Sequence, residues 1–199
     1  LAGFVVMAAF ASARARFAGD LWLAGQVQGI DGRVFAEALD YTAEFGELPL
    51  MVIVAVAGAA AVWRAAGWGD AVLLVLTLGS RLANSVAKEI IGRPRPSPSL
   101  VHVDSQQSSF SFPSGHADTV IVLFGFIFYM AAVHVKDVRI RRTLQAACVW
   151  VIVGTGLQRV YVGDHWPSDV LGGYYLGALI LAGLVGFRLL VMPRLKRVT

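Results

Sequence analysis

Long runs of apolar residues are the feature that most limits what this chain can fold into. Six segments are candidate membrane helices, and they cover residues 1–11, 48–63, 71–88, 116–133, 144–160 and 170–192. A transmembrane helix needs about 20 mostly apolar residues. Only 15% of the 199 residues are charged, against about a quarter in soluble domains. The sequence therefore predicts an all-α, polytopic membrane protein, built as a bundle of six transmembrane helices.

The stretch between the first two runs is different. Residues 25–47 are too polar to span a membrane, but Val34, Phe35, Ala38 and Leu39 fall partly at helical spacing. This pattern predicts an amphipathic helix lying at the membrane surface. Because the first residue is not Met, we expect the first apolar run to be incomplete. The sequence shows no repeat or second domain, so residues 1–199 are interpreted as one unit.

The positions of Lys and Arg predict an orientation. They cluster in the short segment between the fourth and fifth runs and in the C-terminal tail, at Lys136, Arg139, Arg141, Arg142, Arg194, Lys196 and Arg197. Loops rich in these residues stay in the cytoplasm. We therefore expect the loops at residues 89–113 and 161–169 to face the opposite side of the membrane.

Charge and cysteine content narrow the class of partner. The net charge of +4 is modest, and with so little polar surface it favours anionic lipid headgroups or phosphorylated substrates over nucleic acid. The single Cys148 excludes an intramolecular disulfide and a cysteine-rich metal site. The sequence indicates no cofactor, and it leaves the oligomeric state unknown.

A first polar block, KEIIGRPRP at residues 88–96, closes the third apolar run. Gly92 suits the position just past a helix end. The two prolines stiffen the chain that follows, so Arg93 and Arg95 are carried by a rigid arm. Taken alone, Lys88 and these arginines favour the interpretation as interfacial anchors.

The helix before this block carries further polar residues. Arg81, Asn84, Ser85 and Lys88 recur at steps of three and four, so they share one helix face. A charge such as Arg81 inside an apolar span is costly and usually faces a protein interior or a wet cavity.

A second block, PSGH at residues 113–116, opens the fourth apolar run. Ser114 suits a helix start, where free backbone N–H groups and the helix dipole bind anions. Gly115 leaves room for a phosphate beside the backbone, and His116 can exchange a proton with it near neutral pH. Alone, the pattern also fits a plain N-cap followed by an interfacial histidine.

A third block, RVYVGDHWPSD at residues 159–169, joins the last two runs. The Asp169 carboxylate lies four residues after His165 and can accept a hydrogen bond from its ring, which leaves the other ring nitrogen free as a nucleophile. Asp164 competes for this role, although its adjacent position points it elsewhere. Asp169 also fits a helix N-cap.

These blocks converge at one membrane face, with Lys88, Arg95, Ser114, Gly115, His116, Arg159, His165 and Asp169 at helix ends. Cations and backbone donors stabilise the charge of a phosphoryl group, while one histidine attacks and the other protonates the leaving oxygen. No cluster of carboxylates suggests Mg²⁺, and the histidines are too isolated to suggest Zn²⁺. The sequence predicts a phosphoryl-transfer site without a metal.

The three blocks resemble the signatures of the type 2 phosphatidic acid phosphatase family. In that family Lys is followed after six residues by Arg-Pro, then come Pro-Ser-Gly-His and Ser-Arg, five residues, His, three residues, Asp. The spacing selects Arg95 rather than Arg93 as the family arginine. The family serine before Arg159 is Gln158 here, and we expect activity to be retained. The resemblance covers residues 71–186, which we expect to form the catalytic core.

The resemblance implies a metal-independent lipid phosphatase of the bacterial inner membrane, acting on its outer side. His165 would form a phosphohistidine, oriented by Asp169, and His116 would protonate the lipid oxygen and then activate water. Phosphate would be held by Lys88, Arg95, Arg159, Ser114 and the Gly115 backbone. The substrate would be phosphatidic acid, phosphatidylglycerol phosphate or undecaprenyl pyrophosphate. A lipid phosphotransferase with the same intermediate, and a transporter that binds without cleaving, remain the alternatives.

Overall fold

The computed structural model describes residues 1–13 and 16–195, and the regular elements in these residues are helical. They are α1 (Ala2–Ala13), α2 (Asp20–Gln28), α3 (Arg33–Glu44), α4 (Leu48–Ala66), α5 (Trp68–Leu76), a 3₁₀ turn (Thr77–Gly79), α6 (Ser80–Ile91), α7 (Gly115–His134), α8 (Val138–Tyr161), α9 (Pro167–Leu190) and α10 (Met192–Leu195). The all-α class is confirmed.

Four stretches are long and apolar enough to cross a membrane: Leu48–Ala66, Trp68–Ile91, Gly115–His134 and Pro167–Arg194. Helix α1 has 12 residues and is shorter. Helix α8 has 24 residues, but it carries polar and charged residues near both ends and is not in this set. Several membrane helices are therefore confirmed, while the predicted number of six is not.

Local capping explains where the helices begin and end. Gly92, at φ +65°, ends α6 at the predicted position, because only glycine adopts this left-handed conformation without strain. The predicted start of α8 at residue 144 is wrong. Asp137 Oδ1 accepts hydrogen bonds from the backbone N–H groups of Arg139 and Ile140, which starts the helix at Val138. Lys196 and Arg197 lie outside the described residues.

The amphipathic helix predicted within residues 25–47 is α3. Its buried side consists of Leu39, Thr42 and Ala43. This side packs against α8, where Thr155 Oγ1 donates to the Thr42 carbonyl at 2.8 Å. Helix α3 thus lies on the bundle near the C-terminal half of α8.

Helix α7 is the centre of the bundle and packs against α4, α6, α8 and α9. Its buried residues include Val120, Leu123 and Phe126. The contact with α9 is close because Gly173 has no side chain, and a Cβ there would lie 2.4 Å from the Ser114 carbonyl oxygen. The last turns of α6 and α8 and the first turns of α7 and α9 consequently meet at one end of the bundle.

Candidate active site

A cavity of about 370 Å³ opens at this end of the bundle. Six predicted site residues line it: Lys88, Arg95, Gly115, His116, Arg159 and His165. The other two, Ser114 and Asp169, are fully buried beneath the lining. The three sequence blocks therefore converge as predicted.

His165 is held by a relay through a serine. Its Nδ1 atom lies 3.7 Å from Asp169 Oδ2, too far for a direct hydrogen bond. Ser111 Oγ lies 3.4 Å from that Nδ1 and donates to Asp169 Oδ2 at 2.5 Å. The ring thus turns Nδ1 toward the carboxylate, and its other nitrogen, Nε2, is available to the cavity.

Asp169 is itself fixed by the start of α9. It is the third residue of the helix, and its Oδ2 accepts the backbone N–H of Trp166 at 2.8 Å. Asp169 is therefore not the N-cap that the sequence left open as an alternative, because Trp166 occupies that position. From the third position of the helix, its carboxylate accepts the N–H of the N-cap residue and also faces His165.

Arg93, which the sequence comparison set aside, holds this carboxylate from the other side. Its side chain is fully buried. Nη1 donates to Asp169 Oδ1 and to Ser168 Oγ, and Nη2 donates to Asp20 Oδ2 at 2.8 Å. The Phe17 ring lies 4.9 Å from its guanidinium carbon. Arg93 thus connects the N-terminal part of the chain to the His165 loop.

Two cations of the cavity are held by neutral oxygens, mostly from the loop at residues 104–111. Lys88 Nζ donates to the Phe110 carbonyl at 2.8 Å. Arg95 donates to the carbonyl and the hydroxyl of Ser109 and to the Asp164 carbonyl. Because these hydrogen-bond partners carry no formal charge, they leave both cations available to an anion in the cavity.

Arg159 has charged and neutral partners. Nη1 lies 3.2 Å from Asp164 Oδ2. Nε donates to Gln158 Oε1 at 2.6 Å, and Gln158 Nε2 donates to Asp40 Oδ1 at 3.0 Å. Gln158, in the place of the family serine, therefore connects Arg159 to α3.

The start of α7 forms the floor of the cavity. A Cβ on Gly115 would lie 3.2 Å from Asn84 Oδ1, so glycine keeps this surface open. Ser114 precedes the helix as predicted, but its hydroxyl is buried without a hydrogen-bond partner in the described part of the protein. Such a group is costly to leave unpaired, which suits a site completed by a bound anion.

His116 faces Glu47, the residue before α4. His116 Nε2 lies 2.9 Å from Glu47 Oε1. The hydrogen bond with His116 is the main effect that lowers the pKa of Glu47, so the carboxylate is ionised at neutral pH. An ionised carboxylate can only accept a hydrogen bond, so the imidazole carries a proton on Nε2.

Burial lowers the pKa of His165 from 6.5 to about 3, even though Asp169 acts in the opposite direction. The ring is therefore neutral near pH 7, and a neutral imidazole has the lone pair that nucleophilic attack requires.

Sequence reasoning missed three residues of this site: Asp20, Glu47 and Ser111. They lie in segments that the three blocks do not include. Arg93 was named with Arg95 in the first block, but its role behind Asp169 was not predicted. Within the described residues, no group of three or more His, Cys, Asp or Glu side chains is placed to hold a metal ion.

Comparison with known families identifies the family of the chain. The family description "PAP2 superfamily" matches residues 70–191, which include all three blocks. The chain belongs to the PAP2 superfamily. Asp20 and Glu47 lie outside the matched region, so the site combines residues from within and from before it.

Individual PAP2 relatives cover different shares of the chain. Phosphatidylglycerophosphatase B of Bacillus subtilis is 38% identical over 147 residues, which are 70% of this chain and 66% of that protein. Lipid A 1-phosphatase of Rhizobium johnstonii is 34% identical over 118 residues, which are 56% of this chain and 44% of that protein. The chain thus spans slightly less than two thirds of the first relative and under half of the second.

A solved structure extends the similarity to nearly the whole fold. It is the transmembrane PAP2-type phosphatidylglycerolphosphate phosphatase of Bacillus subtilis, with a TM-score of 0.81 and 28% identity. The match covers 94% of this chain and 93% of that chain. The N-terminal helices, including α2 and α3, therefore belong to an arrangement that this PAP2 protein shares.

Proposed function

We propose that this chain is a membrane lipid phosphatase, which hydrolyses a phosphate or pyrophosphate monoester of a lipid without a metal ion. One observation carries the proposal: a neutral, buried His165, backed by Ser111 and Asp169, lies in one cavity with Lys88 and Arg95. Membership of the PAP2 superfamily and the phosphatases named among its relatives support the same reaction class.

The reaction has two steps. In the first, His165 Nε2 forms a bond to phosphorus, the bond from phosphorus to the lipid oxygen breaks, and His116 gives that oxygen a proton. In the second, His116 takes a proton from water, whose oxygen attacks phosphorus and releases His165. Lys88, Arg95, Arg159, Ser114 and the Gly115 backbone would bind the phosphoryl oxygens in both steps.

The same proposal includes an orientation in the plasma membrane. The cavity lies at the end of the bundle where α7 and α9 begin, while Arg64, Lys136, Arg139 and Arg142 lie at the opposite end. The positive-inside rule puts that basic end in the cytoplasm. The active site then faces the extracytoplasmic side.

The test is phosphate release by detergent-purified protein in EDTA. Phosphatidic acid, phosphatidylglycerol phosphate and undecaprenyl pyrophosphate serve as substrates for the wild type, His165→Ala and the control His102→Ala. His102 is an exposed histidine outside the cavity, paired with Asp104. We expect release from at least one substrate that survives EDTA, vanishes in His165→Ala and persists in His102→Ala.

Other outcomes would overturn the proposal. Lipid binding by the wild type without release of phosphate from any substrate would favour a transporter. Phosphate recovered on a second lipid or a sugar instead of in water would favour a phosphotransferase. Loss of activity in EDTA, restored by a divalent cation, would contradict the metal-free mechanism.

A further inference from the structure

The cavity extends along α6 beyond the groups that the proposed reaction uses. Arg81, Asn84 and Ser85 line it together with Lys88. Arg81 lies seven residues before Lys88 on one continuous helix, which is about 10 Å along the axis and within about 20° of the same face. Arg81 is thus a further cation of the cavity beside Lys88, Arg95 and Arg159, and it lies deeper along a stretch that is apolar enough to cross the membrane.

Arg81 is held by a neutral group. Its Nη1 donates to the Gly46 carbonyl at 3.3 Å, and across the described residues it forms no ion pair with a carboxylate. Two carboxylates act on Arg81 electrostatically without forming an ion pair with it: Glu47, whose carboxylate is bound to His116, and the buried Asp118. A cation at membrane depth is costly unless it has a functional partner, so the position favours an anion supplied from outside the protein.

The two ends of the cavity differ in which histidine they face. His165 interacts electrostatically with Lys88 and Arg95, whereas His116 interacts with Arg81 and Arg159. Gly46, whose carbonyl binds Arg81, lies against the His116 ring, since a Cβ on Gly46 would be 2.6 Å from His116 Cδ2. Arg81 is therefore on the side of the histidine that protonates the leaving oxygen, and the leaving group lies toward it.

The outer surface of α6 suits a lipid leaving group. Leu82, Val86 and Ile90 are exposed along the helix beside the polar stripe. Acyl chains can contact these residues in the membrane while the headgroup enters the cavity past Ser85. An anion in the headgroup, located between the scissile phosphate and the acyl chains, reaches the depth of Arg81.

We propose that Arg81 forms a second anion subsite, which binds a phosphate carried by the leaving group of the substrate. This inference rests on the proposed lipid phosphatase function. It selects lipid phosphomonoesters whose alcohol carries a phosphodiester several bonds from the scissile phosphorus, as in phosphatidylglycerol phosphate. Phosphatidic acid has no such group, and in a diphosphate the two phosphorus atoms share one oxygen, which is too close for two cations so far apart.

The test compares kcat/KM for the three lipid classes in the wild type, Arg81→Gln and Arg81→Lys. The matched control for loss of an arginine from a membrane helix is Arg64→Gln, which lies in the last turn of α4 and away from the cavity. We expect Arg81→Gln to lower kcat/KM for phosphatidylglycerol phosphate about 10- to 100-fold, as for a lost charged hydrogen bond, and to change the value for phosphatidic acid by less than about 3-fold. Arg81→Lys should keep part of the preference.

Each alternative result has a distinct meaning. Equal losses of kcat/KM for both phosphomonoesters, or no loss for either, would overturn the proposed subsite. Retained activity on phosphatidic acid shows that the variant is folded. A loss confined to the diphosphate would also overturn it, because the second phosphate would then be adjacent to the first. If the wild type cleaves none of the lipids, the proposed function fails, and that failure is visible before any Arg81 variant is compared.

Discussion

Replacing Arg93 tests how the carboxylate behind the nucleophile is held. The Arg93 guanidinium is fully buried and contacts two buried carboxylates, Asp169 and Asp20, which are 0% and 2% exposed. Arg93→Met keeps the length of the side chain but removes the positive charge. Two negative groups then remain in a buried site, and their mutual repulsion adds to the cost of burying each one.

The size of the effect follows from this burial. Removing one partner of a buried ion pair costs about 3–5 kcal/mol, a large part of a typical stability of about 5–15 kcal/mol. For a chain of this length, such a loss lowers Tm by about 10 °C. The matched control is Arg33→Met, because Arg33 and Glu37 form an exposed pair on α3, whose loss costs less than about 1 kcal/mol. Tryptophan fluorescence in detergent measures both transitions.

Catalysis supplies a more specific readout. Arg93→Lys keeps the charge, but an ammonium cannot reproduce the fork that contacts Asp169, Ser168 and Asp20 together. We expect a folded variant whose kcat is lowered about 10- to 100-fold, as for lost charged hydrogen bonds. If Arg93 acts through Asp169, the double variant Arg93→Lys, Asp169→Asn is no slower than Asp169→Asn alone. Losses that multiply in the double variant would refute this reasoning.

Two further predictions concern the histidines. Glu47→Gln removes the charge that stabilises protonated His116, so the alkaline limb of the kcat/KM profile should move to lower pH; an unchanged profile with only a lower rate would indicate a purely structural role. Burial holds the pKa of His165 at about 3, below 6.5, so the unfolded chain binds a proton between these values that the folded protein does not. The free energy of unfolding is therefore unaffected by this histidine above pH 6.5, and it falls as the pH is lowered, by about 2 kcal/mol at pH 5. His165→Asn should lack that part of the loss, measured as the change in Tm between about pH 7.5 and about pH 5, and an equal acid shift in both proteins would contradict the prediction.

The fold was predictable where one residue type decides it. Apolar runs predicted the membrane helices, and Gly92 marked the end of α6. The errors lie where a side chain extends a helix into a polar sequence, as Asp137 does by capping α8 before its arginines. A hydrophobicity pattern has no signal for this, because the cap is a hydrogen bond of about 1 kcal/mol in a segment that otherwise resembles a loop.

The site residues that the sequence predicted are those proposed to contact the phosphoryl group. Lys88, Arg95, His116 and His165 meet in one cavity, since helix ends on one side of a bundle converge. Their supporting residues were not predictable. Asp20 meets Ser168 across 148 positions of sequence, and spacing within a block contains no information about such a contact.

The division between the two groups of residues has a functional consequence. The groups proposed to touch phosphorus lie within the matched region, residues 70–191. Asp20 lies before this region and orients Asp169 through Arg93. Glu47 also lies before it and pairs with His116. Because orientation changes the rate but not the bonds that form, we expect changes at Asp20 and Glu47 to alter efficiency and pH dependence, while loss of the His165 imidazole abolishes the reaction. Arg81 belongs to neither group: it lies in the matched region but faces the leaving group, so it is where substrate preference can change without loss of the chemistry.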